Sequence, residues 1–189
     1  MNSDAALVPG RECGDCTICC SALNIDKPQV QKASGVLCRH CSGGGCAIYQ
    51  SRFEVCREFH CAWRQLPNMD EGWRPDRSGV FAEFQLLDGV TGLNLMLVGN
   101  PLKIVRQKWF QDFIVTGVMS SVPLFLSLPG PRGHQAATVS LNTEQMVEAI
   151  GRGAVKDALE AVVKILRGWD FQPAVITYSG NDVSSPEQA

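Results

Sequence analysis

Hydrophobic and polar positions divide this chain into two unlike parts. From residue 79 onward apolar residues recur with a clear period. Residues 80–87 and 91–98 are strand-like, and Asp88-Gly89 between them is a hairpin signal, because a two-residue turn needs backbone that Asp and Gly tolerate. Asn100-Pro101 reads as a helix start, with Asn as cap and Pro at the first helical position. Leu102, Val105, Trp109, Phe113 and Ile114 follow at helical spacing as a core stripe, and Gly117 is expected to close that helix. Residues 122–128 predict a strand ended by Pro129-Gly130-Pro131, and residues 137–141 predict another. Asn142 with Gln145 opens a last helix running towards Trp169, with Gly151 and Gly153 as its weak point. The pattern predicts an α+β domain over residues 79–172, with a small, mainly antiparallel sheet and two longer helices.

Residues 11–66 show little periodicity and are broken by Gly14, Pro28, Gly35 and Gly43-Gly44-Gly45. So few apolar residues cannot bury an ordinary core, and something else must hold this segment together. Ser51-Arg52-Phe53-Glu54 has the form of a capping box, predicting a short helix that carries Cys56 and ends before Cys61. Pro67, Asn68, Asp70, Gly72, Pro75 and Asp76 make residues 67–78 read as a linker, residues 1–10 as a loose lead-in, and residues 180–189 as a disordered tail.

The composition changes the picture in one respect. All nine cysteines of the 189-residue chain lie between Cys13 and Cys61. Cysteine used as a small core residue would be scattered, so the clustering points to one local purpose. Cys13, Cys16 and Cys19 repeat the Cys-x-x-Cys spacing that turns a chain around one ion, and with a remote fourth cysteine they are similar to a ferredoxin ligand run. Ala62 after Cys61 departs from that run, which places Pro there. Cys20 directly follows Cys19, and adjacent side chains in extended backbone point to opposite sides. That geometry predicts two metal centres, one using Cys13, Cys16 and Cys19 plus a remote cysteine, the other using Cys20 plus three remote ones. The remote set is Cys38, Cys41, Cys46, Cys56 and Cys61.

Eight thiolates around two divalent ions leave about −4, which asks for nearby cations. Residues 11–66 hold seven Lys and Arg (Arg11, Lys27, Lys32, Arg39, Arg52, Arg57, Arg64) against five Asp and Glu, with Arg39 and Arg57 beside ligand candidates. His40 and His60 are expected as neighbours of the sulfurs or surface residues rather than ligands. Disulfides are disfavoured, since no export signal precedes the cysteines and cytosolic thiols stay reduced. A net charge of −2 with 19% charged residues carries no nucleic-acid footprint, and no apolar stretch reaches the length of a membrane helix. The chain therefore reads as soluble and cytoplasmic, with a protein partner left open. The three glycines lack a following Lys-Ser or Lys-Thr, and no phosphate loop, dinucleotide motif or catalytic triad is legible.

Taken in order, Cys13, Cys16, Cys19 and Cys20, then Cys38-Arg39-His40, Gly45-Cys46-Ala47-Ile48-Tyr49, Arg52, Cys56-Arg57-Glu58-Phe59 and Cys61 resemble the YkgJ-type cysteine-cluster family, the CxxCxxCC domain named for zinc or iron chelation. The resemblance implies eight metal ligands, Cys13, Cys16, Cys19, Cys20, Cys38, Cys46, Cys56 and Cys61, and leaves Cys41 as an extra. Phe53 stands where that family usually has Pro. The resemblance says little about residues 67–189 and brings no activity with it. The expectation is a metal-binding module, with zinc or an iron–sulfur cluster as cofactor and a lean towards iron–sulfur. Its role would be redox or sensing, or that of a zinc-stabilised interaction or assembly factor. An enzyme is the less favoured reading, because so many thiolates can close both centres.

Overall fold

The structure, a computed structural model, describes residues 7–176. The cysteine-rich segment is built from very short pieces: α1 (Ile18–Ala22), β1 (Ile25–Lys27), β2 (Val30–Lys32), a 3-10 turn (Tyr49–Ser51), α2 (Glu54–Glu58) and α3 (Ala62–Gln65). After a second 3-10 turn (Glu71–Trp73) and α4 (Pro75–Ser78) come β3 (Val80–Leu87), β4 (Val90–Leu97), α5 (Pro101–Val105), α6 (Lys108–Met119), β5 (Leu124–Leu128), β6 (Ala137–Ser140), α7 (Glu144–Gly151) and α8 (Val155–Arg167). The architecture is α+β, as expected. β1 and β2 form a two-stranded antiparallel ribbon, and the larger sheet has the order β3-β4-β5-β6. Its β4–β5 pair is parallel and the other two pairs are antiparallel. The parallel step follows from the crossover through α5 and α6, which returns the chain to the same end of the sheet.

Period-2 alternation gives this sheet two different faces. Val80, Ala82, Leu93, Leu95, Leu97, Leu124 and Leu126 face the helices and form the main core with Phe110, Ile114, Leu159, Val163 and Leu166. Phe81 and Met96 point the other way and pack with Ala22, Ile18, Leu23, Phe59 and Cys19 of the cysteine-rich segment. Asp88 and Gly89, at φ of 49° and 80°, make the expected hairpin turn between β3 and β4.

Three local expectations are corrected. The helix predicted from Asn100-Pro101 to Gly117 is two helices, broken at Gln107, whose backbone is extended, and α6 runs on to Met119. Side chains serve the carbonyls near the break: Gln107 Nε2 donates to Lys103 O at 3.2 Å and Gln111 Nε2 to Val105 O at 2.9 Å. The break moves the buried stripe to Ile104, Val105, Phe110, Ile114 and Val118, and leaves Trp109 partly exposed. Gly117 serves packing rather than termination, because a Cβ there would stand 2.6 Å from Leu124 Cδ1. Ser51 does not cap α2: it ends the 3-10 turn, and Phe53 precedes α2 without any side-chain cap. α2 still carries Cys56 and stops before Cys61.

The last helix is also two. Gly153, at φ of 67°, lies in the break between α7 and α8, where weakness was expected. Thr143, not Asn142, is the N-cap, accepting from Met146 N at 3.2 Å. Asn142 is committed elsewhere, accepting from Leu124 N and donating to Val122 O. Residues 67–78 join the two parts but are packed as well as connecting: Met69 is fully buried, and Trp73 stacks among Trp109, Phe110 and Phe113. The segment read as a disordered tail, 180–189, lies outside the described residues.

Candidate functional site

The nine cysteines are free, half-buried thiols. Eight of them, Cys13, Cys16, Cys19, Cys20, Cys38, Cys46, Cys56 and Cys61, line one cavity of about 370 Å³, and Cys41 is the cysteine that does not. The cavity lies between the short elements of the N-terminal segment and the sheet face that carries Phe81 and Glu83. Phe59 stacks on Phe81, ring centroids 5.9 Å apart, and seals that junction.

Backbone hydrogen bonds explain how such distant cysteines meet. Cys16 N donates to Cys13 O at 2.9 Å, the chain reversal that the Cys-x-x-Cys spacing predicts. Residues 8–13 are stapled to α3: Val8 N donates to Arg64 O at 2.8 Å, Arg64 Nε to Arg11 O, and Arg11 Nη1 to the carbonyls of Trp63 and Leu66. This brings Cys13 to Cys61. Cys38 N donates to Cys20 O at 2.9 Å, so Cys38 is tied directly to the doublet. An antiparallel backbone β-bridge between residues Cys41 and Cys46 closes the glycine loop that returns Cys46 to the cavity.

The doublet itself differs from expectation. Cys19 and Cys20 are on α1, not in extended backbone, so their side chains diverge by about 100° rather than pointing to opposite sides. The two thiols are hydrogen-bonded neighbours, and they face different company. Cys19 stands within electrostatic reach of Cys13 and Cys16, as Cys61 does. Cys56 stands within reach of Cys38, Cys20 and Cys46. Cys19 and Cys56 thus keep different sulfur neighbours on the two sides of the doublet.

The S–H donated to Cys20 raises the Cys19 thiol far above its ordinary range, and burial adds to this. The same bond holds Cys20 down to about 6, with Cys41 and the charge of Lys32 helping and burial opposing. Burial pushes the thiols of Cys16 and Cys56 up, and that of Cys61 up to about 11. Cys16, Cys19, Cys56 and Cys61 are thus held neutral, and a cation among them would let them ionise. Among the described residues, however, no three His, Cys, Asp or Glu side chains are gathered into a ready-made ion cage. Eight thiols on one cavity wall have the donor chemistry a thiophilic metal or cluster would require, although they are not gathered around a single point.

Some residues near the cavity were legible and others were not. His40 lines it, with Nε2 accepting from Arg39 Nε at 3.2 Å, whereas His60 is turned to Arg64, Nδ1 to Nη1 at 3.3 Å. Arg39 and Arg57 sit beside cysteines in sequence, but their guanidiniums go to His40 and to Arg52 O. Cations that do face sulfur include Lys32, Arg52, Arg64 and Arg74; Arg64 Nη1 lies 3.9 Å from Cys13 Sγ, and Arg74 Nη2 donates to Cys13 O at 3.2 Å. Arg52 also stacks over Tyr49, 4.0 Å from the ring centroid. Glu83 was missed altogether: a carboxyl on a cavity wall, raised by burial to about 7, with Asn94 hydrogen-bonded to it from the paired strand. Its signal was an acidic residue at an otherwise apolar point of a strand.

No family model, curated protein or solved structure matches this chain.

Proposed function

We propose that this chain is a metal-binding cysteine-cluster protein with two thiolate-ligated centres, of zinc or iron–sulfur. The observation that carries the reading is the convergence of eight cysteines, drawn from across some fifty residues, on one cavity that Cys41 does not line. Their electrostatic neighbourhoods support a partition: Cys13, Cys16, Cys19 and Cys61 hold one centre, and Cys20, Cys38, Cys46 and Cys56 hold the other. Four thiolates saturate a tetrahedral zinc or a cluster, so each centre is closed and serves folding or electron transfer rather than hydrolysis. The Cys19-Cys20 doublet and the likeness to the ferredoxin ligand run lean towards iron–sulfur, while the likeness of residues 13–61 to the YkgJ-type family is neutral between zinc and iron.

The deciding experiment is anaerobic purification followed by iron, zinc and acid-labile sulfide assays and a visible spectrum. Two centres per chain are expected. Zinc without sulfide excludes the redox role, and a folded, colourless protein free of metal overturns the reading.

A second reading, a zinc-stabilised interaction or assembly factor, is favoured by the outer end of the sheet. Phe84, Leu86, Val90, Val122 and Val147 are exposed there, beside a groove lined by Val90, Pro123, Phe125 and Val147. Copurification of one stoichiometric protein with the wild type, lost in Val90→Asp, would support it.

A further inference from the structure

Lys32 is an unusual lysine. It ends a three-residue strand, is only 6% exposed, and belongs to the few buried polar or charged residues of the described chain. Its ammonium directs its three N–H donors at four carbonyls, one donor being shared: Leu23 O at 2.5 Å, Val36 O at 3.0 Å, Ser21 O at 3.1 Å and Ala33 O at 3.4 Å. Ser21 and Leu23 belong to the C-terminal end of α1, whose last carbonyls have no partner within the helix. The nest therefore holds the ammonium against the helix that carries Cys19 and Cys20, with Lys32 itself on the cavity wall. Burial holds its pKa below the ordinary lysine value, and the sulfurs that oppose this are, in order, Cys38, Cys20, Cys19 and Cys56. Three of these four belong to the second sulfur group.

Neutral carbonyls satisfy the hydrogen bonds of a buried ammonium but leave its charge uncompensated, which is costly in a low-dielectric site. Four thiolates on a divalent ion, or on a cluster of the same charge, leave about −2 at the same place. The two imbalances cancel in part. The first group's cations are differently placed: Arg74, its side chain 12% exposed, donates to Cys13 O at 3.2 Å but is already paired with Asp15 and Asp76, and Arg52 and Arg64 are only partly buried.

We propose that Lys32 is the fixed counter-charge of the centre formed by Cys20, Cys38, Cys46 and Cys56, and that it acts through its charge rather than as a tie between chain segments. This inference rests on the two-centre reading and makes the two centres unequal: one holds a buried cation bound by neutral carbonyls, whereas the cation beside the other, Arg74, is already neutralised by Asp15 and Asp76. Lys32 is a positioning and charge-setting residue, not a ligand.

The test uses the full chain, purified anaerobically, with metal and sulfide per chain and native mass spectra recorded during a challenge with excess chelator. Lys32→Gln keeps two N–H donors for the carbonyl nest and removes the charge. Lys32→Arg restores the charge. In Lys32→Gln one of the two centres is expected to leave about 10–100-fold faster than in the wild type, as for other groups that support metal ligands from behind, while the second is unchanged. Lys32→Arg is expected to recover most of the retention, and in a Cys61→Ser background Lys32→Gln is expected to empty the remaining centre. Wild-type release of both centres from Lys32→Gln overturns the proposal. So does joint loss of both centres together with far-UV helicity, which is the signature of a structural tie. A wild type that holds no metal at all brings down the two-centre reading itself, a result distinct from either.

Discussion

The two halves of this molecule solve the same problem by different means. Residues 80–167 bury a continuous aliphatic and aromatic core, in which Leu95, Phe110, Ile114, Leu126, Leu159 and Leu166 are essentially sealed from solvent. The segment from Cys13 to Cys61 buries only Ala22 among its hydrophobics, and its helices have five residues each and no side-chain caps. By area alone such a segment cannot offset the entropy of ordering its chain. What it has instead is a cavity walled by thiols and anchored to the far face of the other half's sheet. Order in one region comes from apolar burial, and in the other it must come from chemistry at a point. The difference makes the halves separable by experiment.

The largest expected effect follows metal removal. If the two proposed centres are filled, stripping the full chain with chelator under reducing conditions should cost on the order of 10–16 kcal/mol per centre, and amides in residues 13–61 should lose hydrogen-exchange protection. β4 and β5 should keep theirs. Unchanged protection of both regions after complete removal breaks the comparison. The converse is smaller: Leu126→Ala should destabilise the sheet domain by about 2–5 kcal/mol while metal per chain stays at the wild-type value. A calorimetric transition that drops together with metal content would mean that the two halves fold as one.

Glu83 lies where the halves meet and sharpens the comparison through pH. Its folded value of about 7 is above the ordinary 4.5, so the folded state favours the protonated carboxyl. Its contribution to stability is complete below about pH 4.5 and is lost as pH rises through 7. Glu83→Gln should therefore match the wild type at pH 5 and exceed it by roughly 2–3 kcal/mol at pH 8.5 in urea unfolding. Equal stabilities at both pH values would remove Glu83 from the buried wall. The smallest contrast sets one half's helix starts against the other's. Thr143→Ala should cost about 1 kcal/mol, because its hydroxyl caps Met146 N, whereas Ser51→Ala, with no cap to lose, should fall within about 0.5 kcal/mol of zero.

Legibility in the sequence followed the same division. The hairpin at Asp88-Gly89 and the weak point at Gly153 are local backbone facts, and local chemistry announced both. The break at Gln107 has no Pro or Gly to mark it and arises from tertiary demand. The capping box at Ser51 was a correct motif in a segment where a 3-10 turn took the residue first. At the cavity, the eight cysteines that the family resemblance picks out are the eight that line it, because type and interval are written along the chain. Lys32 and Glu83 escaped notice as individual residues, since their importance lies in which face of a strand they occupy and in what lies across the gap. Arg39 and Arg57 misled for the converse reason: adjacency in sequence is not adjacency in space.

The two-faced sheet has one further consequence. Along β3 the residues of the helix layer and those of the sulfur cavity are successive letters of one word, Val80, Phe81, Ala82, Glu83. Parity is all that distinguishes them. A single-residue insertion near Gly79 that slipped β3 against β4 by one step would turn Glu83 into the aliphatic layer and bring Ala82 to the cavity wall. The turn at Asp88-Gly89, at the far end of the strand from the insertion, is what holds the count. A hairpin of two residues thus acts as the alignment mark by which one half of the protein keeps its floor in place beneath the other.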